Sequence, residues 1–203
     1  MAVRIICGTA VLVLTGIMSA LPARPTAEGP PPGFSGGFGE PSCVACHLGS
    51  DVNAFGGRVL LEGLPAAYAP GGEYLLTVLL QAEGTVVAGF QVTARFSNGS
   101  ERRQNAGTLS PVDGRSAVTD SAGISYLHQS RAGSLTRSGS GSSWTLRWIA
   151  PPDGGAVTLN VAANSGNADN SPLGDLVFTR EVTVPADGPR LARDGTDRQG
   201  GPL

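Results

Sequence analysis

Two cysteines and a histidine stand in the order Cys43-x-x-Cys46-His47, inside the stretch PSCVACHLGSD that spans 41–51. Thiols separated by two residues on a short loop or helical turn can both add to the vinyl groups of a haem. The histidine that follows can then coordinate the iron, which makes this spacing one of the more readable cysteine patterns. The same residues could also form half of a zinc site, a redox dithiol or a plain disulfide. Zinc asks for about four N, S or O ligands, and the adjacent Cys46 and His47 are awkward to bring onto one tetrahedral ion. Thioredoxin-type chemistry expects a βαβ surround that the flanking sequence lacks. A disulfide closing so small a loop stabilises little. Covalent haem c is the favoured reading, with thiol and zinc chemistry as its alternatives.

The ends of the chain narrow the ligand set. Arg4 followed by the apolar run Ile5–Met18 and small residues has the form of a secretory signal, with cleavage expected after Ala20 or Ala23. The run is short for a bilayer span, and no second one follows. Residues 1–23 are therefore assigned to a signal peptide, and the rest to an exported chain, periplasmic or extracellular, without a membrane span. Cys7, Met1 and Met18 leave with the signal, so the mature chain keeps Cys43 and Cys46 as its cysteines and has no methionine. The basic residues are all arginine. Cleavage after Ala23 leaves 13 of them against 16 acids, a formal charge of −3. With methionine and lysine absent, His128 is the strongest remaining candidate to bind iron opposite His47. Those two histidines are the expected metal ligands, and Cys43 and Cys46 the expected haem attachment points. If His128 does not bind, the iron is five-coordinate or water-bound, as suits a small-ligand sensor or a peroxidase-like enzyme.

The elements that must hold this site read as an all-β domain. At 203 residues, with sparse charge and abundant glycine and proline, the composition suits one compact module with many tight turns. Residues 24–40 are rich in proline and glycine and are expected to form an irregular lead-in that buries little surface. Phe34 and Phe38 are exceptions that could fold back on the cysteine site. From Gly57 onward, short alternating runs are separated by turn chemistry. In GFQVTARF, Phe90, Val92, Ala94 and Phe96 share one face; in SWTLRWIAPP, Trp144, Leu146 and Trp148 do. Runs of the same kind predict an antiparallel β-sandwich of about eight or nine strands over 41–186. Strand alternation in GISYLHQS puts Ile124, Tyr126 and His128 on one face. The polar tail 187–203 has no apolar period and is expected to be disordered.

Other constellations are weaker. Asn164, Asn167, Asp169, Asn170 and Asp175 offer oxygen donors suited to calcium, but a long Asx-rich turn between strands is the stronger reading. Asn98 opens an NGS triplet that matters only in a eukaryotic secretory context. Trp144 and Trp148 read as core. No arginine cluster marks a nucleic-acid surface, and no catalytic triad can be built around the two histidines.

The motifs in order, GFGEPSCVACHLG, GGRVLLEGLPAAYAPGGEYLLTVLL, GFQVTA, AGTL, ISYLHQS, WTLRWIAPPDGGAVTLNVAANSGNAD and GDLVF, resemble bacterial reelin-like (reeler) domains, also called choice-of-anchor V domains. The resemblance covers about Phe38–Val184. It implies an immunoglobulin-like sandwich, a CxxCH at its N-terminal edge matched by Cys43, Cys46 and His47, and a Y-x-H strand whose histidine matches His128. The chain departs from many such relatives in lacking a C-terminal anchor. It departs from animal reeler domains in lacking their extra disulfide cysteines, so their adhesive roles do not carry over. The expected function is a monohaem electron carrier, not an enzyme, working with redox protein partners; an acidic, lysine-free surface favours partners with basic patches. An extracellular interaction module with structural or no haem is the alternative from another class.

Overall fold

The computed structural model describes residues 26–136 and 139–188. The expected signal at 1–23 and the tail beyond residue 188 lie outside them. Nine strands follow one another: β1 (Gly57–Glu62), β2 (Glu73–Ala82), β3 (Val87–Phe96), β4 (Thr108–Pro111), β5 (Ser116–Ser121), β6 (Ile124–Gln129), β7 (Gly141–Ile149), β8 (Val157–Gly166) and β9 (Leu176–Val184). They form a four-stranded sheet in the order β1-β2-β7-β4 and a five-stranded sheet in the order β5-β6-β3-β8-β9. Every ladder is antiparallel, and the two sheets face each other as a β-sandwich. Among the described residues helix is confined to a 3-10 turn at Cys43–Ala45 and the single turn α1 (Arg131–Ser134), capped by the Ser130 hydroxyl.

Period-two alternation builds the core. In β2 the buried side chains are Leu76, Val78, Leu80 and Ala82, and in β7 they include Trp144, Leu146 and Trp148. The two indoles anchor opposite halves of the interior. Trp144 stacks tilted against Phe90 with centroids 4.5 Å apart, and Trp148 meets Tyr68 edge-on at 5.4 Å. Each indole N–H reaches a carbonyl, Gly133 at 2.9 Å and Ala106 at 3.0 Å, so neither ring buries an unsatisfied donor.

The five-stranded sheet departs from simple alternation. All ten residues of β8 are buried, and β3 is buried continuously from Phe90 to Phe96. The cause is the lead-in, which is irregular but packs across the outer face of this sheet as a strap. Its Phe34 N–H donates to Gln91 Oε1 (2.6 Å), and Gln91 Nε2 donates to the Pro31 carbonyl (2.9 Å). Glycine permits the close approach: a Cβ on Gly37 would stand 2.0 Å from Asn160 Cγ, and one on Gly29 would stand 2.1 Å from His128 Nδ1. The proline and glycine content that reads as solvated linker is what lets the strap lie flat on the polar row of the sheet.

A cluster of charge fastens the strap. Arg95, on β3, pairs with Glu40 and donates from Nη2 to the Tyr126 hydroxyl at 2.8 Å. The Tyr126 hydroxyl donates in turn to Glu40 Oε1 (2.6 Å), and Ser35 Oγ donates to Glu40 Oε2 (2.7 Å). The Arg95 guanidinium also lies 5.4 Å from the ring centroids of both Phe38 and Tyr126, within cation–π range. Burial raises the Glu40 pKa, but the hydrogen bonds from Tyr126, Arg95 and Ser35 outweigh it and hold the carboxyl below its ordinary value. Burial, with the bond to Glu40, pushes the Tyr126 phenol up to about 12.

Candidate functional site

Three residues beyond this clasp, the strap turns into the cysteine segment. The 3-10 turn places Cys46 N–H on the Cys43 carbonyl (3.1 Å), and His47 N–H shares that carbonyl at 2.9 Å. Chain 48–49 then pairs with the loop before β9. Leu48 N–H donates to Pro172 O (2.7 Å), Gly174 N–H donates to Leu48 O (3.1 Å), and Leu48 and Leu173 form a parallel bridge. This short pairing carries His47 to Asp175, where Nδ1 lies 2.5 Å from Oδ2.

The segment forms one wall of a cavity of about 860 Å³, within the usual range for ligand sites, roughly 300–1,000 Å³. Cys43, Cys46 and His47 all line it, with Asp175 beside them. Pro30, Pro31 and Phe34 of the strap form another wall. Residues 87–90 of β3, Gln129 at the end of β6 and Asn164 of β8 close the base. Asn164 Oδ1 is buried there without a hydrogen-bond partner, an acceptor that a donor on an occupant, or a water, would satisfy.

Both cysteines are free thiols. Cys43 is half-buried as a residue, yet desolvation pushes its thiol up to about 12, and the neighbouring Cys46 adds to the rise. Among the described residues the segment sits on a 3-10 turn beside an antiparallel sandwich, not in the βαβ surround that thioredoxin-type chemistry expects. Zinc gains no further thiolate or imidazole here. Among the described residues no group of three or more His, Cys, Asp or Glu is arranged to hold a metal ion, and Asp175 is engaged with His47.

His128 stands apart from this group. It lies on the outer face of β6, nearly fully buried, with Nδ1 2.8 Å from the Gln129 carbonyl and Nε2 2.9 Å from Thr119 Oγ1. The carbonyl can only accept, so Nδ1 carries the proton and Nε2 accepts from the threonine hydroxyl. Gly29 packs on the ring, and the neighbouring Gln129, not His128, reaches the cavity. The structure thus joins three of the four sequence-derived site residues and leaves the fourth beneath the strap.

The oxygen-rich loop also divides. Asn164, Asn170 and Asp175 line the cavity. Asn167 and Asp169 spend their side-chain oxygens on their own loop, accepting from Asp169 N (3.0 Å) and Ser171 N (2.8 Å), which is Asx-turn geometry. The sequence reads Asp175 as part of an Asx-rich turn, with calcium as the weaker alternative, and carries no signal of its contact with His47. Gln129 and Asn164 likewise carried no signal of lining a common cavity.

No protein-family model matches the chain, and no curated protein matches it. Solved structures do. The human F-spondin reeler domain (fragment 1) is 20% identical with a TM-score of 0.48, covering 68% of this chain and 94% of that one. The Reelin-N domain of F-spondin is 18% identical with a TM-score of 0.47, covering 68% and 92%. A cohesin module from a Clostridium perfringens family 33 glycoside hydrolase is 14% identical with a TM-score of 0.40, covering 66% and 100%. The neighbours are thus β-sandwich domains of reeler and cohesin type, and the sandwich assignment here stands on the two sheets themselves. Among the described residues no helix is long and apolar enough to cross a membrane.

Proposed function

We propose that this chain is an exported β-sandwich that holds one covalent haem c at Cys43 and Cys46, with His47 as axial ligand, and passes single electrons between protein partners. The observation that carries the reading is the convergence of both free thiols and His47 on one cavity of about 860 Å³. The donor set fits the group. Two sulfurs two residues apart supply the thioether links, and an imidazole whose Nδ1 is already engaged keeps Nε2 as its metal-binding nitrogen. Bound there, haem supplies a one-electron iron couple that no side chain of the protein offers. The chain's own residues do the rest: Pro31 and Phe34 wall the site on one side, Val87–Phe90 supply the apolar part of its base, and the Glu40–Arg95 clasp ties the cysteine segment to the sheet. His128 enters as second ligand only if Gly29 lifts from its ring and the Thr119 bond opens. The formal charge of −3 after signal cleavage favours redox partners that present arginine or lysine patches.

The test is a pyridine haemochrome spectrum of the protein produced with haem-attachment machinery. A spectrum of a haem bound through two thioethers supports the reading, and a colourless protein ends it.

A second reading, an extracellular interaction module in which haem is structural or absent, is favoured by a different observation. Leu48, which lines the cavity, and its bridge partner Leu173 are about half exposed, and Phe55, seven residues beyond Leu48, is fully exposed. Exposed apolar residues of this kind suit protein contact. A colourless protein that still binds a partner through Phe55 and Leu173 would leave this reading standing alone.

A further inference from the structure

His47 and Asp175 are 128 residues apart, yet their contact is built in. The Leu48–Leu173 bridge and its two main-chain hydrogen bonds deliver the carboxylate to the imidazole. Gly166, at the end of β8, leaves room for it: a Cβ there would stand 3.3 Å from Asp175 Oδ1. Asp175 is only 5% exposed, and His47 is its one ion-pair partner among the described residues. A buried carboxylate is costly unless its hydrogen bond is strong, and a charge-assisted bond of 2.5 Å is of the strong kind.

The carboxylate oxygen accepts, so Nδ1 donates and the neutral ring carries its lone pair on Nε2. Hydrogen bonding of this kind fixes the tautomer and the ring orientation of a ligating histidine and makes the ligand more basic. A fixed negative charge one imidazole away from a metal also favours the more positive of its two oxidation states. The low dielectric around Asp175 keeps that effect from being screened.

We propose that Asp175 is the positioning residue of this site: it holds His47 in the Nδ1–H tautomer, and its charge lowers the reduction potential of the bound haem. The inference rests on the haem reading for its second half only. Two variants separate the parts. Asp175→Ala removes the acceptor and the charge; Asp175→Asn keeps an acceptor and removes the charge.

The tautomer is read by imidazole nitrogen-15 shifts in the full chain made without haem-attachment machinery. The wild type shows His47 protonated at Nδ1, the Asn variant keeps that pattern, and the Ala variant loses it. Unchanged His47 shifts in the Ala variant overturn the positioning role. The potential is read by redox titration of the haem-loaded protein. Both variants shift the midpoint upward while retaining covalent haem. An unchanged midpoint in the Asn variant overturns the electrostatic role. A wild type that acquires no haem defeats the functional reading, while the tautomer measurement still decides the first half.

Discussion

His47 and His128 are the two imidazoles of the chain, and their surroundings assign them different work. His47 lines the cavity with its Nδ1 on a carboxylate, whereas both nitrogens of His128 are satisfied by Thr119 and the Gln129 carbonyl under Gly29. Replacing His128 by alanine therefore leaves the visible spectrum of the haem-loaded protein unchanged. It lowers stability by about 1–3 kcal/mol, the range for leaving buried partners unpaired; spectroscopy and a urea melt check both. A low-spin spectrum that turns high-spin in this variant would instead bring His128 to the iron. The Cys43–His47 unit was legible in sequence because its geometry is local, set by five consecutive residues. Asp175 was not legible as a partner, because nothing in GDLVF reports that Leu48 pairs with Leu173 far along the chain.

At the scale of elements, the strap decides how the site is held. Glu40 sits three residues before Cys43 and joins it to Arg95 and Tyr126 on the sheet. Its carboxyl is held below its ordinary value of 4.5, so the stability it contributes is present above that value. It is lost as the pH falls through the lower folded-state value. Glu40→Gln is expected to cost on the order of 3 kcal/mol at neutral pH, as for breaking a buried ion pair from one side. It should also flatten the acid limb of the stability curve, measured by denaturant melts between neutral and strongly acidic pH. Tyr126 has the opposite sign. Its phenol rises from 10.0 to about 12, so its contribution is full below 10 and declines as the pH climbs towards 12. Tyr126→Phe should remove that alkaline decline. The strands were legible as about eight or nine short runs between turn signals, with alternation marking faces in β3, β6, β7 and β8. The strap's cover was not: alternation marks which face is core, and Gln91, Thr93, Arg95 and Asn160 read as a solvent face. A distant glycine-rich segment without periodicity covers them.

For the whole molecule, the sandwich sets the cysteine cavity against its five-stranded sheet. Trp148 is fully buried between Tyr68 and Tyr74, far in character from the polar strap face. Trp148→Ala should destabilise the domain by about 3–5 kcal/mol, a loss read by thermal unfolding. The five-stranded sheet, the strap and the loop before β9 meet at the cavity, which is why a motif and a strand pattern read separately could name its parts but not its shape. The claim that binds these levels is that Cys43 and Cys46 carry a haem. Intact mass of the protein, made with haem-attachment machinery, tests it most directly. The account predicts a gain of one haem in the wild type that is lost in the Cys43→Ser/Cys46→Ser double variant; a wild type at its bare polypeptide mass would contradict it.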